Sequence, residues 1–231
     1  MRRFTATLHQ DMTLQFRYGF YAAAAFVLVC WAAILAQVPP VNLSRIMPAL
    51  VLGNMIINTF YFVGGLVLLE RAEGSLLARA VTPLRSGEYI AARVSSLTAL
   101  TLAENMILVA IFQHGDFDPF AVTVGVIVGA PIFTLGGLIM VLRYHSINEY
   151  LMPSVAVSGL LSAPLLSYLA GWKAWPMYLH PMEPALRLLE GGFRPLAAWE
   201  WAYAIGYGGL WIAVLAWWAA RALRRAATAD V

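Results

Sequence analysis

Six apolar stretches, each long enough to cross a lipid bilayer, recur along this chain, at about 19–38, 46–69, 90–112, 119–142, 150–170 and 200–220. An α-helix rises about 1.5 Å per residue, so about 20 apolar residues cross the hydrocarbon core. Composition agrees. The 231 residues are 61% hydrophobic and 12% charged, where a soluble domain carries about 25% charge. Too little polar surface remains to face water all round, which points to an integral, all-α membrane protein. No repeat, linker or low-complexity tract divides it, so residues 1–231 read as one domain. Of the six stretches, 90–112 contains Glu104, and 150–170 contains Pro153 and Pro164.

The flanks of the spans set an orientation. With a cytoplasmic N-terminus, the inner segments hold eleven arginines and the outer ones hold Arg45, Lys173, Arg187 and Arg194. Positive residues concentrate on the cytoplasmic side, so both termini and the 69–93 stretch are expected there. The basic balance, a net charge of +3, reads as arginines meeting anionic lipid and not nucleic acid. Trp172, Trp175, Trp199 and Trp201 fall near outer span ends, and Trp217 and Trp218 near an inner one, as interfacial aromatics do. Before the first span, Phe4, Leu8, Met12 and Phe16 recur every four residues, with Arg2, Arg3, His9, Gln10, Asp11 and Arg17 on the rest. That pattern predicts a short amphipathic helix in the interface. Between spans five and six, PMEPALRLLEGG at 181–192 reads as a short external helix, with Pro184 near its start, Glu183 four before Arg187 and Gly191 past its end. It either lies on the outer surface or dips in as a re-entrant hairpin.

Several chemistries are absent. There is no G-x-x-x-x-G-K-[ST], no H-E-x-x-H and no G-x-S-x-G, so the chain has no P-loop for ATP and no motif for catalysis. The four histidines lie in four segments and the single cysteine, Cys30, lies in an apolar run. No metal site or disulfide is expected. His114-Gly115-Asp116 with Asp118 reads as a turn, and Gly125-x-x-x-Gly129 as a close helix contact.

Polar residues inside spans are costly, so they face the bundle interior or a wet cavity. In span two, Asn54 and Asn58 are one turn apart, Tyr61 and Gly65 continue the stripe, and Phe60 and Phe62 flank it. They either bond to a neighbouring helix or line a transport path. In span three, Glu104 and Asn105 lie near mid-depth with Thr98 and Thr101 on or beside their face. Glu104 is placed to bond across helices, to titrate or to contact a cationic solute.

The 69–93 stretch, LERAEGSLLARAVTPLRSGEYIAAR, is the longest charged run. Nothing from Glu70 to Ala80 breaks a helix except Gly74, and Leu76, Leu77, Ala80 and Val81 give it an apolar side. Thr82-Pro83 stops it, because the residue before proline is pushed out of the helical region. Ser86 to Glu88 then opens the next helix. A short rigid helix followed by span three can transmit movement.

The sequence E-R-x-E-G-S-L-x-A-x-x-V-T-P-L-R-x-x-E-Y, from Glu70 to Tyr89, resembles the cytoplasmic loop of permease subunits of type-2 ABC exporters, and more narrowly of the fluoroquinolone-export permease group. D-x-x-x-Q-x-R-Y-G-F-Y from Asp11 to Tyr21 and S-L-T-x-L-x-L-x-E-N at 96–105 are similar to that group too. The resemblance implies an N-terminal elbow helix, a coupling helix between spans two and three, and external short helices before span six. It also implies two permease subunits, alike or paralogous, above two ABC ATPase subunits that bind ATP and Mg. The coupling helix maps onto Glu70, Arg71, Glu73, Gly74, Ser75, Leu76, Arg79, Val81, Thr82, Pro83 and Leu84. A path between spans two and five would place Asn54, Asn58, Phe60 and Tyr61 with Ser158 and Ser162, and Glu104 and Asn105 join as span-three candidates.

The expected function is the membrane subunit of an ATP-driven exporter that moves a hydrophobic or amphipathic solute, a drug or a lipid, across the cell membrane and hydrolyses nothing itself. A small secondary transporter using Glu104 for proton coupling is the alternative. A membrane-embedded enzyme and a non-transporting assembly factor are further rivals, the first set back by the missing motifs.

Overall fold

A computed structural model describes residues 2–74, 86–172 and 175–229, and every regular element among them is helical. In chain order these are α1 (Arg2–Arg17), α2 (Phe20–Leu35), α3 (Pro40–Met55), a π-helical stretch (Ile56–Tyr61), α4 (Phe62–Ala72), α5 (Ser86–Gln113), α6 (Pro119–Val141), α7 (Ile147–Leu161), α8 (Ala163–Leu169), a 3₁₀ turn (Trp175–Leu179), α9 (Glu183–Gly191) and α10 (Ala198–Ala229).

Among the described residues, four helical runs are long and apolar enough to cross a membrane: Asn42–Ala72, Ser86–Gln113, Pro119–Val141 and Ala198–Ala226. Two bent pairs bring the number up to six if each counts as one span. These are Phe4–Arg17 with Phe20–Leu35, bent by 63°, and Ile147–Leu161 with Ala163–Leu169, bent by 53°. The stretch expected at 19–38 yields a helix of only 16 residues that ends at Leu35, about 24 Å of rise. The stretch expected at 150–170 is broken at Ser162, where Pro164 opens α8. Proline suits the first turn of a helix and interrupts a continuing one.

Span four, α6, is the hub of the bundle, with nearly every residue from Val128 to Leu142 buried. Small residues let neighbours close on it. A Cβ on Gly125 would stand 3.1 Å from the Leu189 backbone nitrogen, and one on Gly129 would stand 2.9 Å from the Ala185 Cβ. The Gly125/Gly129 pair therefore seats α9. That helix does not lie loose on the surface: Pro184, Ala185, Leu186, Leu188 and Leu189 are all buried, against α6, α10 and α3.

Helix α1 presents its faces the other way round from a simple amphipathic reading. Asp11 and Gln15 are buried against α5, whereas Met12 and Phe16 are exposed. In a bilayer the exposed apolar pair meets acyl chains and the polar face meets protein. Of the helix expected from Glu70 to Ala80, only Glu70 to Gly74 are described. Span two runs on to Ala72 and then ends, because Gly74 adopts φ +71° and its N–H bonds the Arg71 carbonyl oxygen at 3.0 Å. Glycine reaches the left-handed region without a Cβ penalty and so terminates helices there. Glu70 and Arg71 thus belong to the last turn of the span. Ser75, Leu76, Arg79, Val81, Thr82, Pro83 and Leu84 lie outside the described residues.

Candidate functional site

Two polar clusters lie along span two, one near its middle and one at its end. The first contains Asn54, Asn58, Thr101, Glu104 and Asn105, all buried. Asn54 Nδ2 donates to Asn105 Oδ1 at 3.1 Å, Asn105 Nδ2 donates to the Thr101 carbonyl at 2.8 Å, and Asn58 Nδ2 donates to Glu104 Oε2. The cluster joins span two to span three.

The π-helical stretch that carries Asn58 gives this place its local geometry. A π turn accommodates an extra residue inside an α-helix and frequently sits at functional sites. Span four receives it through Gly137, where a Cβ would stand 2.7 Å from the Phe60 carbonyl oxygen and 3.1 Å from its Cα. The Tyr150 hydroxyl donates to the same carbonyl at 3.3 Å. Phe60 is wholly buried and stacks edge-on to Tyr61. Tyr61 points to the other side, where its hydroxyl lies 3.0 Å from Ser158 Oγ on α7. Ser162 turns back on its own helix and donates to the Ser158 carbonyl at 2.6 Å. The expected path residues therefore separate into two groups. Asn54 and Asn58 meet Glu104 and Asn105 on span three, and Tyr61 meets Ser158 on α7. Phe60 packs between span two and span four.

The second cluster sits at the end of the bundle that carries the chain termini. Arg93 on α5 is wholly buried between two carboxylates. Its Nη2 lies 2.5 Å from Glu70 Oε1, and its Nε lies 3.0 Å from Asp11 Oδ1. The Tyr89 hydroxyl donates to Glu70 Oε2 at 3.0 Å. Gln15 Nε2 reaches Asp11 Oδ2 at 2.9 Å and Ser96 Oγ at 2.8 Å, and Ser96 Oγ donates to Asp11. Charge is tolerated at such depth only when paired and hydrogen-bonded. Around this joint, Arg17 pairs with Glu73 on the surface at 2.9 Å, and Arg71 Nη1 donates to the Tyr144 carbonyl beyond α6. The joint fastens α1, the end of span two and the start of span three together.

Of its members, sequence reasoning had singled out only Glu70 as a site residue. Asp11, Gln15 and Ser96 carried a signal nonetheless, because they stand in the two motifs at 11–21 and 96–105, which the fold brings into contact.

The opposite end holds a third polar group around a cavity of about 500 Å³, lined among others by Arg45, Tyr168, Trp172, Tyr178, Glu183 and Arg194. Arg187 bonds Glu183 at 2.9 Å and Glu200 at 3.1 Å, and its guanidinium lies 4.3 Å from the Tyr178 ring centre. Arg194 bonds Glu190 at 2.7 Å and Glu200 at 2.8 Å, and hydrogen bonding to Glu200 first and then Glu190 raises its pKa. His180 links α7 to α9. Its Nε2 lies 3.0 Å from the Leu160 carbonyl and its Nδ1 accepts from the Met182 N–H at 3.2 Å, while burial lowers its pKa. Among the described residues no three His, Cys, Asp or Glu side chains gather as a metal site would require.

No solved structure matches the chain. Two curated proteins of Mycobacterium tuberculosis do, the fluoroquinolones export permease proteins of strains CDC 1551 / Oshkosh and ATCC 25618 / H37Rv. Each is 31% identical over 213 residues, which cover 90% of this chain and 89% of the relative. A sequence model of one family spans residues 2–230, from the helix that carries Asp11 to the end of span six. Its extent takes in both span-two clusters, and the chain accordingly belongs to the fluoroquinolones export permease protein family.

Proposed function

We propose that this chain is the transmembrane subunit of an ATP-driven exporter, which carries a hydrophobic or amphipathic solute, a drug or a lipid, out of the cytoplasm. A separate ATPase subunit binds ATP and Mg, and a second permease subunit, identical or paralogous, completes the path. The termini and the 69–93 stretch face the cytoplasm, as the arginine distribution favours. The observation that carries this reading is the buried Asp11–Arg93–Glu70 joint, in a member of an export permease family that has no P-loop of its own. A partner pushing on the segment after Glu70 moves α1 and span three with it, because rigid paired elements transmit displacement where a loose loop would absorb it. Nucleotide drives the change of state only through different affinities for the two states.

Purification in mild detergent followed by mass spectrometry tests the partner: a P-loop ATPase should come down with the chain. Full transport by proteoliposomes that contain this chain alone would sink the proposal. The buried Glu104 favours a second reading, proton-coupled transport, and the same vesicles driven by a pH gradient without ATP decide between the two.

A further inference from the structure

The mid-span cluster leaves five buried oxygens without a partner. Oδ1 of Asn54, Oδ1 of Asn58, Oε1 of Glu104, and Oγ1 of Thr98 and of Thr101 are all buried oxygens with no hydrogen-bond partner. Both asparagine nitrogens, by contrast, are engaged, with Asn105 and with Glu104. Exchanging the amide oxygens and nitrogens does not repair this. A flipped Asn58 would set its oxygen against the Glu104 carboxylate, and a flipped Asn54 would set its oxygen against Asn105 Oδ1, so the network itself fixes the assignment.

A carboxylate this deep, 5% exposed, calls for a countercharge. The described residues place no arginine, lysine or histidine within ion-pair distance of Glu104. Thr59 Oγ1 bonds back to the Met55 carbonyl, so the donor that the turn presents across the gap is the Asn58 amide, which meets Glu104 Oε2 and leaves Oε1 unpartnered. What the cluster offers is one carboxylate and four neutral, unpartnered oxygens on the same helix pair, near its middle. Hard cations take such oxygen sets, and sodium or proton sites in transporters form at irregular helical turns of this depth.

We propose that Glu104, Asn54, Asn58 and Thr101 form a site for a single monovalent cation, either a sodium ion or the protonated amine of a transported solute. The carboxylate supplies the charge, the two amide oxygens and the threonine hydroxyl supply further oxygen contacts, and Asn105 holds Asn54 in place. For the amine, this deepens the export reading and rests on it. The sodium arm stands without it.

The test uses the full purified chain in detergent, without any ATPase, so that its outcome is independent of ATP coupling. One arm compares sodium chloride with choline chloride at equal ionic strength, by thermal midpoint and by equilibrium binding of radioactive sodium. The other compares benzylammonium with benzyl alcohol, which matches it in size without the charge. At a hundredfold excess over Kd, one of the two cations should raise the midpoint by about 5–10 °C. Glu104→Gln should abolish that rise, and Asn54→Leu, which removes one oxygen, should weaken binding roughly tenfold, the effect of losing one good contact. Should Glu104→Gln not elute as a single species, the wild-type arms and Asn54→Leu decide. The proposal is overturned if neither cation stabilises the wild type beyond its control, which would mark Glu104 as a neutral carboxyl or a water-filled pair. A Glu104→Gln variant that responds like the wild type overturns it equally.

Discussion

Replacing Arg93 by methionine keeps the length of the side chain and removes its charge from between Asp11 and Glu70. Both carboxylates then stay behind in a place where Arg93 and Glu70 are 0% exposed and Asp11 is 3% exposed. At an effective dielectric of about 20, each contact contributes about 4 kcal/mol of attraction, set against the desolvation of both partners. Breaking a buried pair from one side costs about 3–5 kcal/mol, because the other charge stays buried. For a chain of this size that lowers the thermal midpoint by roughly 6–20 °C. The chain's eight tryptophans supply the fluorescence readout in detergent. The triple variant Asp11→Asn, Glu70→Gln, Arg93→Met removes every charge at once and should recover most of the loss, since a neutral replacement of a buried ionic group is often tolerated. Hydrogen exchange separates a local effect from a global one: α1 amides should lose protection in Arg93→Met before those of α6 do. The reasoning fails if Arg93→Met melts like the wild type, or if the triple variant is no more stable than the single one.

Other variants test the remaining contacts. Gly137→Ala places a methyl 2.7 Å from the Phe60 carbonyl oxygen. Backbone cannot yield as a side chain does, so the midpoint should show a loss of about 1–3 kcal/mol. Gly159→Ala, helical with nothing within 4 Å, should gain about 0.5–1 kcal/mol in the same measurement. His180 is held neutral: Nε2 faces the Leu160 carbonyl, which requires a proton there, and Nδ1 accepts from Met182. Its folded pKa is lowered by burial, so the unfolded chain takes up the proton first as pH falls below about 6.5. Stability should therefore decline from pH 7 to pH 5, and His180→Gln should flatten that slope. Gly74→Val forces a β-branched residue into φ +71°. With the ATPase proposed above, it should leave ATP hydrolysis running while transport falls, with membrane insertion unchanged.

Hydropathy made the spans legible, because bilayer thickness constrains every apolar stretch alike. What it missed has local causes. Span five reads as one stretch until Ser162-Ala163-Pro164 breaks it into α7 and α8, and an apolar count takes no notice of where a proline falls. Asp11 looked water-facing on a helix of sixteen residues because its partner, Arg93, is 82 positions away and sequence periodicity sees only neighbours. The Asn54 and Asn58 stripe was visible as two amides one turn apart, yet the π turn between Ile56 and Tyr61 was not, since it depends on Gly137 in another span. Helix α9 was visible in its Pro184 start and its Glu183–Arg187 spacing. Its burial was not, because that comes from Gly125 and Gly129 across the interface.

Both clusters hang on the same helix. Glu70 in the joint and Asn58 in the π turn are twelve residues apart on span two, about 18 Å of rise. Between them lies α4, whose Val63, Leu66 and Val67 are wholly buried, so it can shift along or about its axis but cannot bend freely in a packed interior. A displacement entering at Glu70 therefore arrives at Asn58, where a π turn offers the one irregular stretch of the helix able to absorb it. Of the two ends, the joint is held by ion pairs, whereas the π turn is held by the close Gly137 contact and single hydrogen bonds to Tyr150, Ser158 and Glu104. The compliant point is thus the turn that holds Asn58 against Glu104, and a change there alters which oxygens face the gap. Coupling of this kind makes a definite demand: a cation that binds at Glu104 must change the hydrogen-exchange protection of α1, 2–17, and Arg93→Met must change the affinity for that cation. No change in either measurement would mean that the two clusters share a helix without sharing a motion.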